Sequence, residues 1–323
     1  MRAYKVTETG QPPRLAQCDT PIPATGEVLV KIHACGLNFA DLLMIKGKYQ
    51  DTPAVPFTLG LELSGTIEAV GPGADSSLTG KNVAVFAGQG GLAEYGCFPV
   101  DRCVVMPENM SFAEAAAFQV AYGTSHVALD YKARLQAGET LLVLGAAGGV
   151  GLTAVEIGKR MGARVIAVAR GAAKLDVARK AGADICIDAE VDDLREQIKA
   201  LGGADVVYDA VGGDLFRAAF RATNPDGRIL AIGHASGDVP QIPANHLLVK
   251  NISVLGLYWG GYMKFKPSVL TDSMAQLFSW FAEGGLTPHI SHELPLERAD
   301  EALELLKSRR STGKVVVTMH SPA

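Results

Sequence analysis

The sequence predicts an α/β protein of two regions, one β-rich and one a doubly wound parallel sheet. Three observations carry that reading. From Thr140 onward, short apolar runs alternate with helical segments. Over roughly the first 110 residues, β-branched runs are separated by Gly and Pro instead. Between the two rhythms stands a helix-start signal at Ser111. At 323 residues, 48% hydrophobic and 20% charged, the chain is long for one core and apolar enough for two.

In chain order, "MRAYKVTETG" reads as a first strand. "EVLVKIHACG", "LELSGTIEAVG", "KNVAVFAG" and "GLAEYGCFPVD" follow as strands of a barrel or rolled sheet, parted by turns such as Gly71-Pro72-Gly73. Ser111 with Glu114 is a capping box that opens a helix over "SFAEAAAFQVAYGTSHVAL". "TLLVLG" is a continuous apolar run, as expected of a strand covered on both faces. Helix "VGLTAVEIGKRMG", strand "RVIAVAR", helix "AAKLDVARKAGA", strand "DICID" and helix "VDDLREQIKAL" follow, the last with Leu194, Ile198 and Leu201 on one face. "DVVYDAVG", "DLFRAAFRAT" and "RILAIG" extend the alternation to five strands, which defines a parallel sheet. After "NISVLGLYWGGY" come helices near residues 267–283 and 295–308 and a closing strand "GKVVVTM", a mixed tail free to rejoin the first region. The expected domains are 1–121, completed by 262–323, and 122–261.

A formal net charge of -4 argues against a general nucleic-acid binder. No run of 18 apolar residues suits a membrane span. The amino-terminal segment lacks the apolar core of a signal peptide, and the five cysteines (Cys18, Cys35, Cys97, Cys103, Cys186) show no C-x-x-C spacing. Both features fit a reducing, cytoplasmic setting.

"VLGAAGGVGLTA" joins the first apolar strand to its helix. Against G-x-G-x-x-G the positions are Ala146, Gly148 and Gly151, with Gly145 and Gly149 added. Gly148 lets backbone approach a pyrophosphate, and Gly151 lets helix and strand pack closely. The helix start, Gly149 and Val150 included, offers N–H groups and partial positive charge to the phosphates. Strand before and helix after are the context that makes such a loop a dinucleotide site. An NAD site usually carries an acid about 20 residues on. Here Arg170 stands there, with Lys174 four residues later, so a 2′-phosphate and hence NADPH is expected. The plainer alternative is two solvated charges, although a cation at a helix start is unfavourable without a reason.

"GLNFADLL", "GKY", "GLELSGTIEAVG", "GGLAEY", "VAYGTSHVAL", "GAAGGVG", "YDAVGG" and "STGKVVV", in this order, run over essentially the whole chain. Together they resemble the zinc-free quinone oxidoreductase (zeta-crystallin-like) branch of the medium-chain dehydrogenase/reductase superfamily. The resemblance implies a GroES-like β domain made by both chain ends, a Rossmann domain, an active site in the cleft between them, and a homodimer. Zinc members of the superfamily show C-G-x-C-H-x-D and G-H-E segments. This chain has "CGLNFAD" and "GLE", so Asn38 and Leu61 stand at the ligand positions, and residues 85–97 hold one Cys where a four-cysteine lobe would lie. Zinc needs about three Cys, His or carboxylate ligands. No metal is therefore expected, and the substrates expected are acceptors that spread charge by conjugation: quinones, enones or enoyl thioesters.

The resemblance also assigns residues. Tyr49 matches an aromatic of the substrate site and a tyrosine suggested as proton donor, or it packs its ring in a loop. Asn38 offers an amide donor beside the former metal position, or caps a turn. Asp41 fixes the loop. Thr124 resembles a threonine that contacts the nicotinamide or phosphates of the cofactor. Gly233, His234 and Ser236 follow a late strand at the edge where ligands bind, and Lys314 is a further cofactor candidate. Tyr258 and Trp259 wall the pocket, join a dimer contact or pack in the core. Leu43 replaces an aromatic common in quinone reductases, which opens the pocket to small enones or acyl-CoA thioesters. His33, His126 and Cys35 read as structural. The functional classes are an NADPH-dependent quinone or enone reductase, an enoyl- or acryloyl-CoA reductase, and a non-enzymatic NADPH-binding or RNA-associating protein.

Overall fold

The structure, a computed structural model, describes residues 1–319. It divides into two compact units, Met1–Val120 with the chain from Thr287 onward, and Ala121–Leu286.

The first unit is β-rich. Its larger sheet runs in the order Ile290–Pro295, Lys314–Thr318, Glu27–Gly36, Glu62–Val70, Asn82–Phe86, Cys103–Val105, with Tyr95–Pro99 also paired to Glu27–Gly36. A smaller sheet joins Arg14–Gln17, Arg2–Val6 and Phe57–Thr58. In Glu27–Gly36 alternate residues Val28, Val30, Ile32 and Ala34 are buried, the period of two that a sheet with one covered face requires. The expected return of the chain end is present. Val316 pairs antiparallel with Gly36, Val317 with Cys35 and Thr318 with Ala34. The capping box is present too: Ser111 N–H donates to Glu114 Oε2 at 2.9 Å, and Glu114 N–H to Ser111 Oγ at 3.2 Å.

The second unit is a parallel sheet in the order Ile185–Asp188, Arg164–Ala169, Thr140–Leu144, Ala204–Asp209, Thr223–Ala231, Ser253–Gly256. Every neighbouring pair is parallel. Its central strands carry fully buried Leu142, Leu144, Ile166, Val168, Val207 and Ile229, the continuous apolar pattern of strands covered on both faces. The sheet has a sixth strand, Ser253–Gly256, where the sequence indicated five. Residues 262–286, expected with the first region, belong to this unit instead. The helix Ser268–Ala282 is fastened to the helix Gln119–His126, with His126 Nδ1 and Ser273 Oγ 2.9 Å apart, and Arg160 Nη2 donates to Glu283 at 2.8 Å. Among the described residues, no helix is long and apolar enough to cross a membrane.

Candidate active site

In the first unit, the end of strand Glu27–Gly36 leads through Leu37 and Asn38 into the short helix Phe39–Ile45. Asp41 closes this turn. Its Oδ2 accepts from Asn38 N–H at 2.8 Å and its Oδ1 from Gly60 N–H at 3.2 Å, which is the loop-fixing role expected of it. Burial pushes the Asp41 carboxyl up to about 7, against the pull of those two N–H groups and of Lys314. Burial likewise holds the Cys35 thiol well above its usual range, which suits an inert core cysteine.

Half-buried Asn38 joins a cluster with the buried Glu62 and Lys314. Lys314 Nζ donates to Glu62 Oε1 at 2.7 Å and to Asn38 Oδ1 at 2.8 Å. Asn38 Nδ2 donates to Glu62 Oε1 at 2.9 Å and to Gly36 O at 3.2 Å. Glu62 Oε2 accepts from Val120 N–H at 2.8 Å. Asn38 thus supplies an amide donor beside the former metal position, here engaged with Glu62 Oε1 and Gly36 O, and it also stands at the cap of the helix Phe39–Ile45. Lys314, expected as a cofactor contact, is the cluster's cation, 5% exposed.

These residues do not fit a metal. The Asn38 amide and the Leu61 side chain are not zinc ligands, and both oxygens of Glu62 already have donors. An ammonium carries the positive charge at this place. Tyr49 lies beyond the helix, half-buried against the first unit's core, and its carbonyl accepts from Thr52 Oγ1 at 2.6 Å. Leu43 is half-buried on the helix itself.

In the second unit, strand Thr140–Leu144 turns through Gly145–Gly148 into the helix Gly149–Arg160. Gly145 takes the left-handed conformation, φ 73°, and so makes the tight turn that leaves the strand. The N–H groups of Gly145 and Ala146 both donate to Val168 O at 3.0 Å, which commits Ala146 to the turn. A Cβ on Gly151 would lie 2.2 Å from Gly145 O, so only glycine allows the helix to start against the strand. The first-turn N–H groups of Gly149, Val150 and Gly151 have no carbonyl one turn back and face outward from the helix start. This is a cradle that fits a pyrophosphate.

Ser125, Thr153 and Tyr208 lock the cradle from behind, and the sequence reading missed them. Ser125 Oγ donates to Val150 O at 2.9 Å and lies 2.7 Å from Thr153 Oγ1 and 3.0 Å from Tyr208 OH. Thr124, beside Ser125, is buried. The signal available was the polar run "GTSH" within an otherwise apolar helix. Asp209 was missed as well; its Oδ1 accepts from Val211 and Gly212 N–H at 2.9 Å and shapes the next turn of the same sheet edge. Over that turn folds the loop of Gly233, His234 and Ser236: Gly233 N–H donates to Asp209 O, and Ser236 N–H to Val211 O at 2.9 Å.

Arg170 directly follows strand Arg164–Ala169, one residue past the strand's end, and it is not alone. Its Nε lies 3.1 Å from Glu190 Oε1, both side chains being about two-thirds exposed. Lys174 is half-buried on the following helix. Trp259 is 7% exposed, and a Cβ on Gly123 would fall 2.8 Å from its indole; it packs this unit's core, while Tyr258 beside it is half-buried.

Comparison with known proteins fits this arrangement. The model of the alcohol dehydrogenase GroES-like domain matches residues 24–108, and that of the zinc-binding dehydrogenase domain matches residues 149–277. The quinone oxidoreductase-like protein 2 homolog of Nematostella vectensis is 40% identical over 98% of this chain and 88% of its own length. The chain belongs to the quinone oxidoreductase branch of the medium-chain dehydrogenase/reductase superfamily. Among solved members, the quinone oxidoreductase of Thermus thermophilus, also determined with NADPH, superposes with a TM-score of 0.88 at 32% identity, over 99% of this chain and 100% of that one. The Escherichia coli quinone oxidoreductase complexed with NADPH gives 0.90 at 28% identity, over 98% and 100%. As a member of this oxidoreductase superfamily, the chain pairs a GroES-like domain in its first unit with a Rossmann domain in its second.

Proposed function

We propose that the chain is an NADPH-dependent, zinc-independent reductase of quinones or of C=C bonds conjugated to a carbonyl. The observation that carries this reading is the pair Asn38 and Leu61 at the positions where zinc members carry metal ligands, with the Asn38 amide and both Glu62 oxygens already engaged in hydrogen bonds, two of them from Lys314. The NADPH of the two solved relatives supports the choice of cofactor, as do Arg170 and Lys174 at the end of the second strand of the Rossmann sheet. When bound, NADPH supplies a hydride. The N–H groups of Gly149, Val150 and Gly151 would hold its pyrophosphate, Arg170 and Lys174 its 2′-phosphate, and Thr124 with the loop of Gly233, His234 and Ser236 the remainder.

Reduction of a simple ketone puts full charge on one oxygen, the task for which a Lewis-acid metal serves. Conjugation spreads that charge, so hydrogen-bond donors are enough to stabilise it. Tyr49 is the donor we assign, because a phenol can give a hydrogen bond or a proton to the developing charge. Leu43 stands where many quinone reductases carry an aromatic, which favours enones and acyl thioesters over large flat quinones.

The test is NADPH oxidation by purified protein against quinones, enones, enoyl-CoA thioesters and simple ketones, before and after chelation. Turnover with a conjugated acceptor, little with simple ketones, and no effect of chelator are expected. A stoichiometric divalent metal whose removal abolishes turnover would refute the reading. So would tight NADPH binding without turnover on any acceptor.

A further inference from the structure

A cavity of about 650 Å³, within the usual range for a small-molecule site, opens on the Rossmann unit at the edge of the sheet away from the glycine cradle. It is lined where strands Ala204–Asp209 and Thr223–Ala231 begin, whereas the cradle follows the end of a strand parallel to them. Arg195, Lys199, Arg221, Lys250 and His246 line it, and none of its lining residues is acidic. In a chain of net charge -4, such segregation needs a cause.

Helix ends explain part of it. Cations are favourable at helix carboxyl ends. Lys250 Nζ accordingly donates to the carbonyls of Arg221 and Thr223 at the end of helix Gly213–Ala222, and Arg164 Nη1 donates to Leu201 O at 2.7 Å just past helix Leu194–Ala200. Arg195 and Lys199 remain, one turn apart on the same helix. Arg195 Nε is buried and makes no hydrogen bond among the described residues, and its approach to Glu196 is a loose 3.4 Å. The neighbouring acid Asp205 is turned to Asn224 Nδ2 and to Thr140 N–H, both at 2.8 Å. Burial and the nearness of Lys199 and Arg195 also push the Lys250 ammonium pKa down, the sign of cations crowded without a counter-charge. Beside them, Phe220 and His246 stack nearly parallel, ring centroids 6.0 Å apart, and Val249 is 70% exposed, so one wall is flat and apolar.

We infer that this cavity binds a small polyphosphate group, free or carried on a nucleotide. Several negative charges on one compact ligand match four cations in one concave surface, and charge-assisted bonds to phosphate are the strong ones. The cations come from three segments, residues 195–199, 221 and 246–250, gathered at one opening rather than spaced along a single helix, which suits a small ligand better than an extended nucleic acid.

Titration calorimetry with inorganic triphosphate tests it. Saturable binding is expected, weakened about tenfold or more in Arg195→Ala with Lys199→Ala, and unchanged in Arg170→Ala with Lys174→Ala at the other edge of the sheet. The opposite pattern between the two variants would overturn the assignment, as would absence of saturable binding at millimolar concentrations. The unaltered protein gives a second reading that needs no variant. Affinity should rise from phosphate through pyrophosphate to triphosphate and fall steeply with added NaCl; a flat series would overturn the proposal. Equal affinity for ATP and triphosphate would assign the site to the phosphates alone, tighter binding of ATP to a nucleotide resting on the Phe220–His246 wall. A single-stranded oligonucleotide that outcompetes triphosphate, and loses its binding in the Arg195→Ala, Lys199→Ala variant, would replace the polyphosphate reading with a nucleic-acid one.

Discussion

Lys314 Nζ lies 2.7 Å from Glu62 Oε1, joining residues 252 positions apart with both side chains almost wholly out of solvent. Removing one partner of such a pair strands a buried charge, at a cost of about 3–5 kcal/mol. Lys314→Met should therefore lower the urea midpoint sharply. Adding Glu62→Gln to it should recover most of the loss, because the stranded carboxylate is then neutral. Equal stability of the single and double variants would dismiss the charge argument.

Asp41 gives stability a pH dependence. Its folded carboxyl titrates near 7, raised by burial from an ordinary value near 3.9. The folded chain thus holds this proton more tightly than the unfolded chain does. The stabilisation is complete below about pH 4 and is lost as pH rises to 7, on the order of 4 kcal/mol at most. Asp41→Asn cannot titrate. Urea unfolding of both proteins at pH 5 and pH 8 should show a smaller fall in the variant; identical falls would remove Asp41 from the account.

Gly151→Ala would drive a methyl into Gly145 O, a backbone atom with little freedom to move. A loss of about 1–3 kcal/mol in stability is expected, with weaker NADPH binding by fluorescence titration because the cradle must open to relieve the contact. Undiminished affinity would mean that helix and strand do not need their present separation.

If Arg170 holds the 2′-phosphate, as proposed, its contact with Glu190 sets acid against phosphate for the same guanidinium. Glu190→Ala should raise the NADPH-to-NADH preference a few-fold, since an exposed pair contributes at most about 1 kcal/mol. Arg170→Asp with Lys174→Ala should shift preference toward NADH. The ratio of kcat/KM for the two cofactors decides, and no change in either variant would place the 2′-phosphate elsewhere.

Tyr49→Phe keeps the ring and removes the hydroxyl. If the phenol serves the acceptor, kcat should fall by a factor of about 100–10,000 while NADPH affinity holds. A wild-type rate would leave Tyr49 a packing residue.

What the sequence disclosed was what local rules govern. "TLLVLG" and "RVIAVAR" announce buried parallel strands because every turn of the chain there repeats one pattern, and "GAAGGVG" is legible because close backbone approach tolerates few residue types. Ser253–Gly256 was harder to read. Four residues with two half-buried carry no period, and only the neighbouring strand makes them a sheet edge. Residues 262–286 were placed in the wrong unit because the contact that decides it, His126 to Ser273, spans 147 positions. At the site, Asn38 was found by its place in a motif. That one of its N–H bonds goes to Glu62 and that its oxygen accepts from Lys314 depends on distant residues that no local spacing reveals. The same holds for Glu190 against Arg170.

The strand Lys314–Thr318, which brings Lys314 to Glu62, also sets an order on biosynthesis. Residues 121–286 are contiguous, so every strand of their sheet has been made before Lys314 is, whereas Glu62 has no ammonium partner until some 250 further residues have been polymerised. The nucleotide-binding unit can therefore form from one uninterrupted stretch of chain, whereas completion of the amino-terminal unit has to await synthesis of the strand that carries Lys314.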